Sequence, residues 1–145
     1  MQRFLILAAG VAGAAGVGLL AAAAHIGGDN LRTAAAFILA HAPALLAIGL
    51  MGRNRTIVAA ACVMLAGVAL FAGDLVMRDV FGERLFAMAA PTGGTLTMLG
   101  WLGVALSALL PAYLEVQRAL ASDDFDTAKA AWRNRPQVAR STLAL

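Results

Sequence analysis

The sequence predicts an all-α integral membrane protein, a four-helix bundle followed by a C-terminal cytoplasmic amphipathic helix or tail. The chain has 145 residues, of which 61% are hydrophobic and 13% charged. A soluble domain carries roughly 25% charged residues. Four apolar runs are also long enough to cross a bilayer, which takes about 20 residues per helix. Together these observations favour a membrane protein over a soluble one.

The four runs define one predicted transmembrane domain over residues 1–110. Its spans are expected at about residues 4–26, 34–51, 57–76 and 85–110. The short polar connections between the runs make neighbouring helices antiparallel. The first run also fits a cleavable signal peptide, but it is longer than the usual apolar region of 7–15 residues. We therefore interpret it as a span.

Residues 111–145 form a polar tail with a predicted helix at about 123–134. Ser122 can cap this helix, and acidic residues in its first turn suit the positive end of the helix dipole. Phe125, Ala128 and Trp132 fall on one helical face. The face indicates either a helix on the membrane surface or on a partner, or a solvated tail with accidental periodicity.

Basic residues predict the orientation in the membrane. Of the 11 Lys and Arg residues, eight lie on the side of the two termini, whereas Arg32, Arg78 and Arg84 lie on the other side. The positive-inside rule then places both termini in the cytoplasm.

Prolines interrupt the second and fourth spans. Pro43 lacks an N–H group, so the second helix should kink around it. The segment Pro91-Thr-Gly-Gly-Thr95 makes the fourth span irregular, and Pro111 should break or bend its exit.

His41 is the strongest candidate for a functional polar residue. It lies about eight residues inside the second span, roughly 12 Å deep at 1.5 Å per residue. Thr92 and Thr95 should reach a similar depth. Ionisable groups in a bilayer usually face the bundle interior. His41 can act as a ligand or proton site, or it can join two helices by a hydrogen bond; both readings remain open.

Two further polar residues lie near the outer surface. His25 ends the first span, and Asp74 lies close to the end of the third. Asp74 is expected to be solvated and paired with Arg78 at i+4.

Several classes of chemistry lack their sequence signatures. His25 and His41 differ in depth by roughly 10 Å at the helical rise, too much for two axial haem ligands. The chain has no HxxxH or CxxC metal motif, no nucleophile–base pair and no phosphate-binding glycine loop. Cys62 is expected to be a small core residue. We therefore expect no enzyme, no cofactor, no metal and no nucleic-acid partner.

Small residues provide surfaces for helix packing. Gly10, Ala14 and Gly18 form a small-xxx-small row in the first span. Gly93, Gly94 and Gly100 allow close packing of the fourth.

The order of these features resembles the YgdD-like family of small bacterial membrane proteins, which is related to eukaryotic transmembrane protein 256. The resemblance is carried by four segments: Ala21-Ala-Ala-Ala-His25, Phe37 with His41, Phe71-Ala-Gly73-Asp-Leu75, and Pro91-Thr-Gly-Gly94 with Gly100-Trp101. It covers about residues 1–110 and implies a small inner-membrane protein of no established activity. Ile38 stands where the family commonly has Gln, and the tail after Pro111 exceeds the family's short basic end.

Two functions are compatible with these observations. The first is a non-catalytic accessory, assembly or scaffold subunit that docks on a larger membrane complex. The alternative is a small transporter or membrane sensor with a polar site around His41, Thr92 and Thr95. An absence of catalytic motifs beside abundant packing surface favours the first.

Overall fold

The computed structural model describes residues 1–51, 54–121 and 125–133, with the backbone alone at 125, 127, 128 and 131. Within these ranges the chain is helical and has no strand. Its helices are α1 (Gln2–Ile26), α2 (Asp29–Met51), α3 (Arg55–Phe81), α4 (Ala89–Ala121) and α5 (Phe125–Arg133). The first four are long and apolar enough to cross a membrane. A helical membrane bundle is thereby confirmed as the fold class.

The chain divides into two units, residues 1–104 and 105–145, with the boundary inside α4. The second unit contains the remainder of α4 and the short helix α5. In it, the Gln117 amide donates a hydrogen bond of 2.7 Å to the Tyr113 hydroxyl. Trp132 on α5 is exposed. The predicted cap Ser122 and the acidic residues Asp123 and Asp124 lie outside the described residues, and so do Gly52, Arg53 and the end of the tail.

In the first unit, α1 and α2 form a hairpin joined by Gly27 and Gly28. Both glycines have positive φ, 79° and 111°, a conformation that residues with a Cβ rarely adopt. Along the hairpin, Gly16 of α1 lies under Leu39 of α2. Gly49 of α2 lies against Ile6 of α1 in the same way. Glycines on both helices thus let the two backbones approach closely.

The main core lies between α1, α2 and α3. Its fully or largely buried members are Leu5, Ala9, Leu45, Ile48, Val58, Ala61, Met64 and Val68. Most of these side chains are small or medium in size, so the helices pack closely and bury few atoms per residue. Large apolar side chains on the outer faces, such as Leu7, Val11 and Leu102, remain exposed.

The helices α3 and α4 approach each other most closely at glycines. A Cβ added at Gly93 would lie 2.5 Å from the Phe71 backbone nitrogen, and one at Gly67 would lie 2.5 Å from the Thr97 nitrogen. A Cβ at Gly100 would lie 2.6 Å from that of Met64. Gly94 differs, because its nearest neighbour would be the Phe71 ring at 4.0 Å. The fourth helix therefore packs through Gly93 and Gly100, whereas the other glycine of the Gly-Gly pair has room.

Prolines interrupt the helices less than the sequence predicts. α4 begins at Ala89, so Pro91 lies in its first turn, where a missing N–H has no intrahelical partner to lose. The predicted irregularity at this proline is therefore wrong. α4 also continues through Pro111 to Ala121, so this proline does not end the helix. α2 runs through Pro43, and its kink stays a prediction.

The contrast between Gly93 and Gly94 gives a test of the α3–α4 packing. We expect Gly93→Ala to lower the free energy of unfolding by about 1–3 kcal/mol, because the methyl group meets backbone that cannot move away cheaply. Gly94→Ala is the matched control, and its methyl group fits the available space. Thermal unfolding in detergent, followed by circular dichroism, measures both. Equal midpoints for the two variants would contradict the close approach.

Candidate functional site

His41 lies in an aromatic cluster formed by three helices. The cluster consists of Phe37 and His41 on α2, Phe71 on α3 and Trp101 on α4. The Phe37 ring lies 4.4 Å from the His41 ring and 4.4 Å from the Phe71 ring, measured between centroids. The Trp101 ring lies 6.1 Å from His41. Residues that carry the family resemblance in three separate helices thus meet at one place.

The imidazole of His41 is 8% exposed and uses one of its two nitrogens. Its Nδ1 lies 2.6 Å from the backbone oxygen of Phe37, one turn earlier. A carbonyl oxygen can only accept, so Nδ1 must carry the hydrogen and donate it. Within the described part of the chain, Nε2 has no hydrogen-bond partner. The ring is therefore held by an intrahelical bond and aromatic contacts, with its second nitrogen unused.

The threonines proposed to accompany His41 face elsewhere. Thr92 and Thr95 are exposed, and the Thr95 hydroxyl donates to the Pro91 carbonyl at 2.9 Å. Neither has a described contact with the imidazole. The buried threonine of α4 is Thr97, which is 3% exposed and donates to the Gly93 carbonyl at 2.9 Å. Sequence reasoning missed Thr97, although its spacing of four residues from Gly93 places both on one helical face.

Asp74 is the most deeply buried charged side chain among the described residues, with 0% exposure. The expectation that it is solvated is therefore wrong, whereas its predicted pairing with Arg78 is confirmed. Oδ2 of Asp74 accepts from Nε of Arg78 at 2.8 Å and also from Nη2. Oδ1 accepts from the backbone N–H of Leu85 at 2.9 Å. One carboxylate thus orients a guanidinium and holds the loop between α3 and α4.

Asp79, the residue that follows Arg78 on α3, caps α2 from outside that helix. Its Oδ2 accepts from the Leu31 backbone N–H at 2.9 Å, and its Oδ1 accepts from the Asn30 amide at 2.6 Å. The first N–H groups of a helix lack intrahelical partners, so a carboxylate there satisfies a donor and suits the helix dipole. A Cβ at Gly28 would meet the same carboxylate. Sequence reasoning missed this role because the partners are 48 and 49 residues apart.

The remaining candidates lie apart from these groups. His25 is exposed at the end of α1. Cys62 is a partly buried free thiol that packs against the main core. Among the described residues, no group of three His, Cys, Asp or Glu side chains could hold a metal ion.

Substitution of Asp74 tests the role of the buried carboxylate. We expect Asp74→Asn to lower the thermal midpoint more than any other single carboxylate-to-amide change at this end of the bundle. The Asn side chain lacks the negative charge that pairs with Arg78. Its NH2 group also cannot accept a hydrogen bond, whereas both carboxylate oxygens of Asp74 do. The control is Asp29→Asn, because Asp29 is exposed and its pair with Arg32 is a surface pair of little energetic weight.

Limited proteolysis of the same two variants reports on the loop. Cleavage within residues 82–88 should accelerate in Asp74→Asn and remain unchanged in Asp29→Asn. Equal midpoints and equal cleavage rates would show that the buried pair does not hold the loop.

Comparison with known protein families gives a match over much of the chain. The family model described as "Protein of unknown function (DUF423)" matches residues 12–94. No curated protein and no solved structure matches the chain. The matched segment includes Phe37, His41 and Phe71 of the aromatic cluster and the carboxylates of Asp74 and Asp79. It covers more than half of the sequence, and the chain belongs to this uncharacterised family.

Proposed function

We propose that this chain is a non-catalytic accessory subunit that docks, through the outer face of α1, on a transmembrane helix of a larger membrane complex. The observation that carries the proposal is the position of the row Gly10, Ala14 and Gly18. All three residues are exposed. A Cβ added at Gly10 or Gly18 would have no neighbour within 4 Å.

The two faces of α1 use small residues differently. On the inner face, the Leu39 side chain of α2 occupies the space beside Gly16. This glycine therefore already takes part in packing within the chain. The outer row has no such partner among the described residues. Without a driving force from water, helices in lipid associate through close van der Waals packing, which small residues permit. A second transmembrane helix is the occupant that suits such a row.

A shallow groove next to this row supports the same occupant. It has a volume of about 610 Å³ and lies between α1 and α3. Ala15 and Gly18 line one side, and Ala69 and Gly73 line the other. A docked helix that follows the row would place side chains in this groove.

We further propose the YgdD-like and transmembrane-protein-256-like identity, the bacterial inner membrane and cytoplasmic termini. The sequence segments that resemble that family support the first two. The excess of Lys and Arg on the side of the termini supports the third.

A ligand or proton site at His41 is the second candidate, as in a small transporter or sensor. Its support is the buried imidazole with an unused Nε2. Thr92 and Thr95 add no described contact to it, which is why we place it second.

Photo-crosslinking in native membranes tests the docking proposal. A photoreactive amino acid in place of Ala14 should give one discrete heavier adduct with another membrane protein. The control position is Leu20, which is exposed but lies about 120° around the helix at 3.6 residues per turn. Gly18→Leu should remove the Ala14 adduct, because the added side chain keeps the partner helix away.

Two outcomes would contradict docking: the same adduct pattern from both positions, or a protein that purifies in mild detergent as a monomer without membrane partners. The variant His41→Phe in the same strain distinguishes the His41 site from the docking function, because Phe preserves a ring but removes both nitrogens. Loss of growth or transport with the Ala14 adduct retained would favour the His41 site.

A further inference from the structure

A second groove lies on the other side of α3, between the end of that helix and the start of α4. It has a volume of about 520 Å³. Two guanidinium groups, those of Arg78 and Arg84, line it, and its remaining lining is largely apolar. The docking proposal makes no use of this groove or of its two arginines.

The groove has a net charge of one positive unit when Arg78, Arg84 and the Asp74 carboxylate are counted. Asp74 neutralises Arg78 and occupies its Nε and Nη2. Arg84 is exposed, and no ion pair within the described part of the chain includes it. Glu83 is adjacent to Arg84 in sequence but does not line the groove. The groove therefore offers one guanidinium that makes no close ion pair with a described residue, beside a second one whose orientation is fixed, which matches a singly charged phosphodiester.

The start of α4 adds to the positive potential. Ala90 and Pro91 of its first turn line the groove. That turn contains no acidic side chain. The N-terminal end of a helix carries a partial positive charge and attracts anions.

The apolar part of the groove extends from the charged end towards the middle of the spans. Phe71 precedes Arg78 by seven residues on α3, and Met98 follows Pro91 by seven on α4. Each interval is about 10 Å at 1.5 Å per residue. A site with cations at the membrane interface and an apolar channel running inwards reproduces the order of a phospholipid, whose phosphate precedes its acyl chains.

We propose that this groove binds one anionic glycerophospholipid, with the phosphate between Arg84 and Arg78 and one acyl chain along Phe71 and Met98. Asp74 fixes the orientation of the Arg78 guanidinium. The buried ion pair therefore contributes to the lipid site as well as to anchoring of the loop. The partner helix proposed above would occupy a different face, so either proposal can fail without the other.

Native mass spectrometry of the full chain released from detergent tests the proposal. The probes are phosphatidylglycerol, phosphatidylcholine with the same acyl chains, glycerophosphoglycerol and inorganic phosphate. We expect phosphatidylglycerol to bind with one-to-one stoichiometry and to exceed phosphatidylcholine about tenfold in affinity, because phosphatidylcholine has the same phosphodiester but adds a choline cation that the net positive charge of the groove repels. Glycerophosphoglycerol and phosphate, which lack acyl chains, should not compete.

Three variants locate the bound lipid. Arg84→Gln removes an exposed charge and should lower phosphatidylglycerol affinity about tenfold without a change in thermal midpoint. Arg32→Gln is the control, because it removes the same charge outside the groove. Gly94→Leu should also weaken binding, since Gly94 lines the groove and a longer side chain would fill it.

Three results would overturn the proposal. They are equal affinities for the two lipids, equal losses for Arg84→Gln and Arg32→Gln, or full competition by inorganic phosphate, which would show a free-anion site instead.

Discussion

The apolar surface of the four long helices imposes the main constraint on this structure. In the most hydrophobic window of each helix, only 17% to 39% of the residues are buried against the rest of the chain. A soluble protein would leave far less of such surface in contact with water. A bilayer satisfies these outer faces, and it also requires that backbone polar groups find partners within the protein. The helices, their small-residue contacts and their caps all meet this requirement.

Two carboxylates of α3 accept hydrogen bonds from backbone N–H groups at the start of α2 and in the loop before α4. Asp79 caps the start of α2, and Asp74 accepts from the backbone of the loop that precedes α4. Both carboxylates lie at one end of the bundle and contact segments that are distant in sequence. The glycines of α4 then let this helix lie directly against α3. Asp74 contributes to loop anchoring and to the orientation of Arg78 in the proposed lipid groove, so one buried charge links stability with binding.

Hydropathy alone was sufficient to predict four spanning helices, because the bilayer selects for long apolar runs independently of tertiary contacts. The burial of His41 likewise followed from its position in the middle of such a run. The errors arose where the end of a helix differs from the end of its apolar run. α3 continues to Phe81 rather than 76, which places Asp74 about two turns inside its end. α4 begins at Ala89 rather than 85, which makes Pro91 an ordinary first-turn residue.

Side-chain direction was the second source of error. Thr95 and Thr97 are equally polar and lie two residues apart, yet only Thr97 faces α3. The sequence of α4 does not indicate which of its faces contacts a neighbouring helix, because a helix in lipid carries apolar side chains on all of its faces. The capping of α2 by Asp79 could not be predicted for a related reason, because it depends on how α2 and α3 are aligned.

Cysteine accessibility in sealed membrane vesicles tests most directly the claim that these helices cross a bilayer. With Cys62 replaced by Ala, single cysteines are introduced as Arg32→Cys, Glu83→Cys and Arg55→Cys, each at an exposed position. The account predicts that a membrane-impermeant maleimide labels positions 32 and 83 from one side of the membrane and position 55 only from the other. Labelling of all three positions from the same side would contradict it.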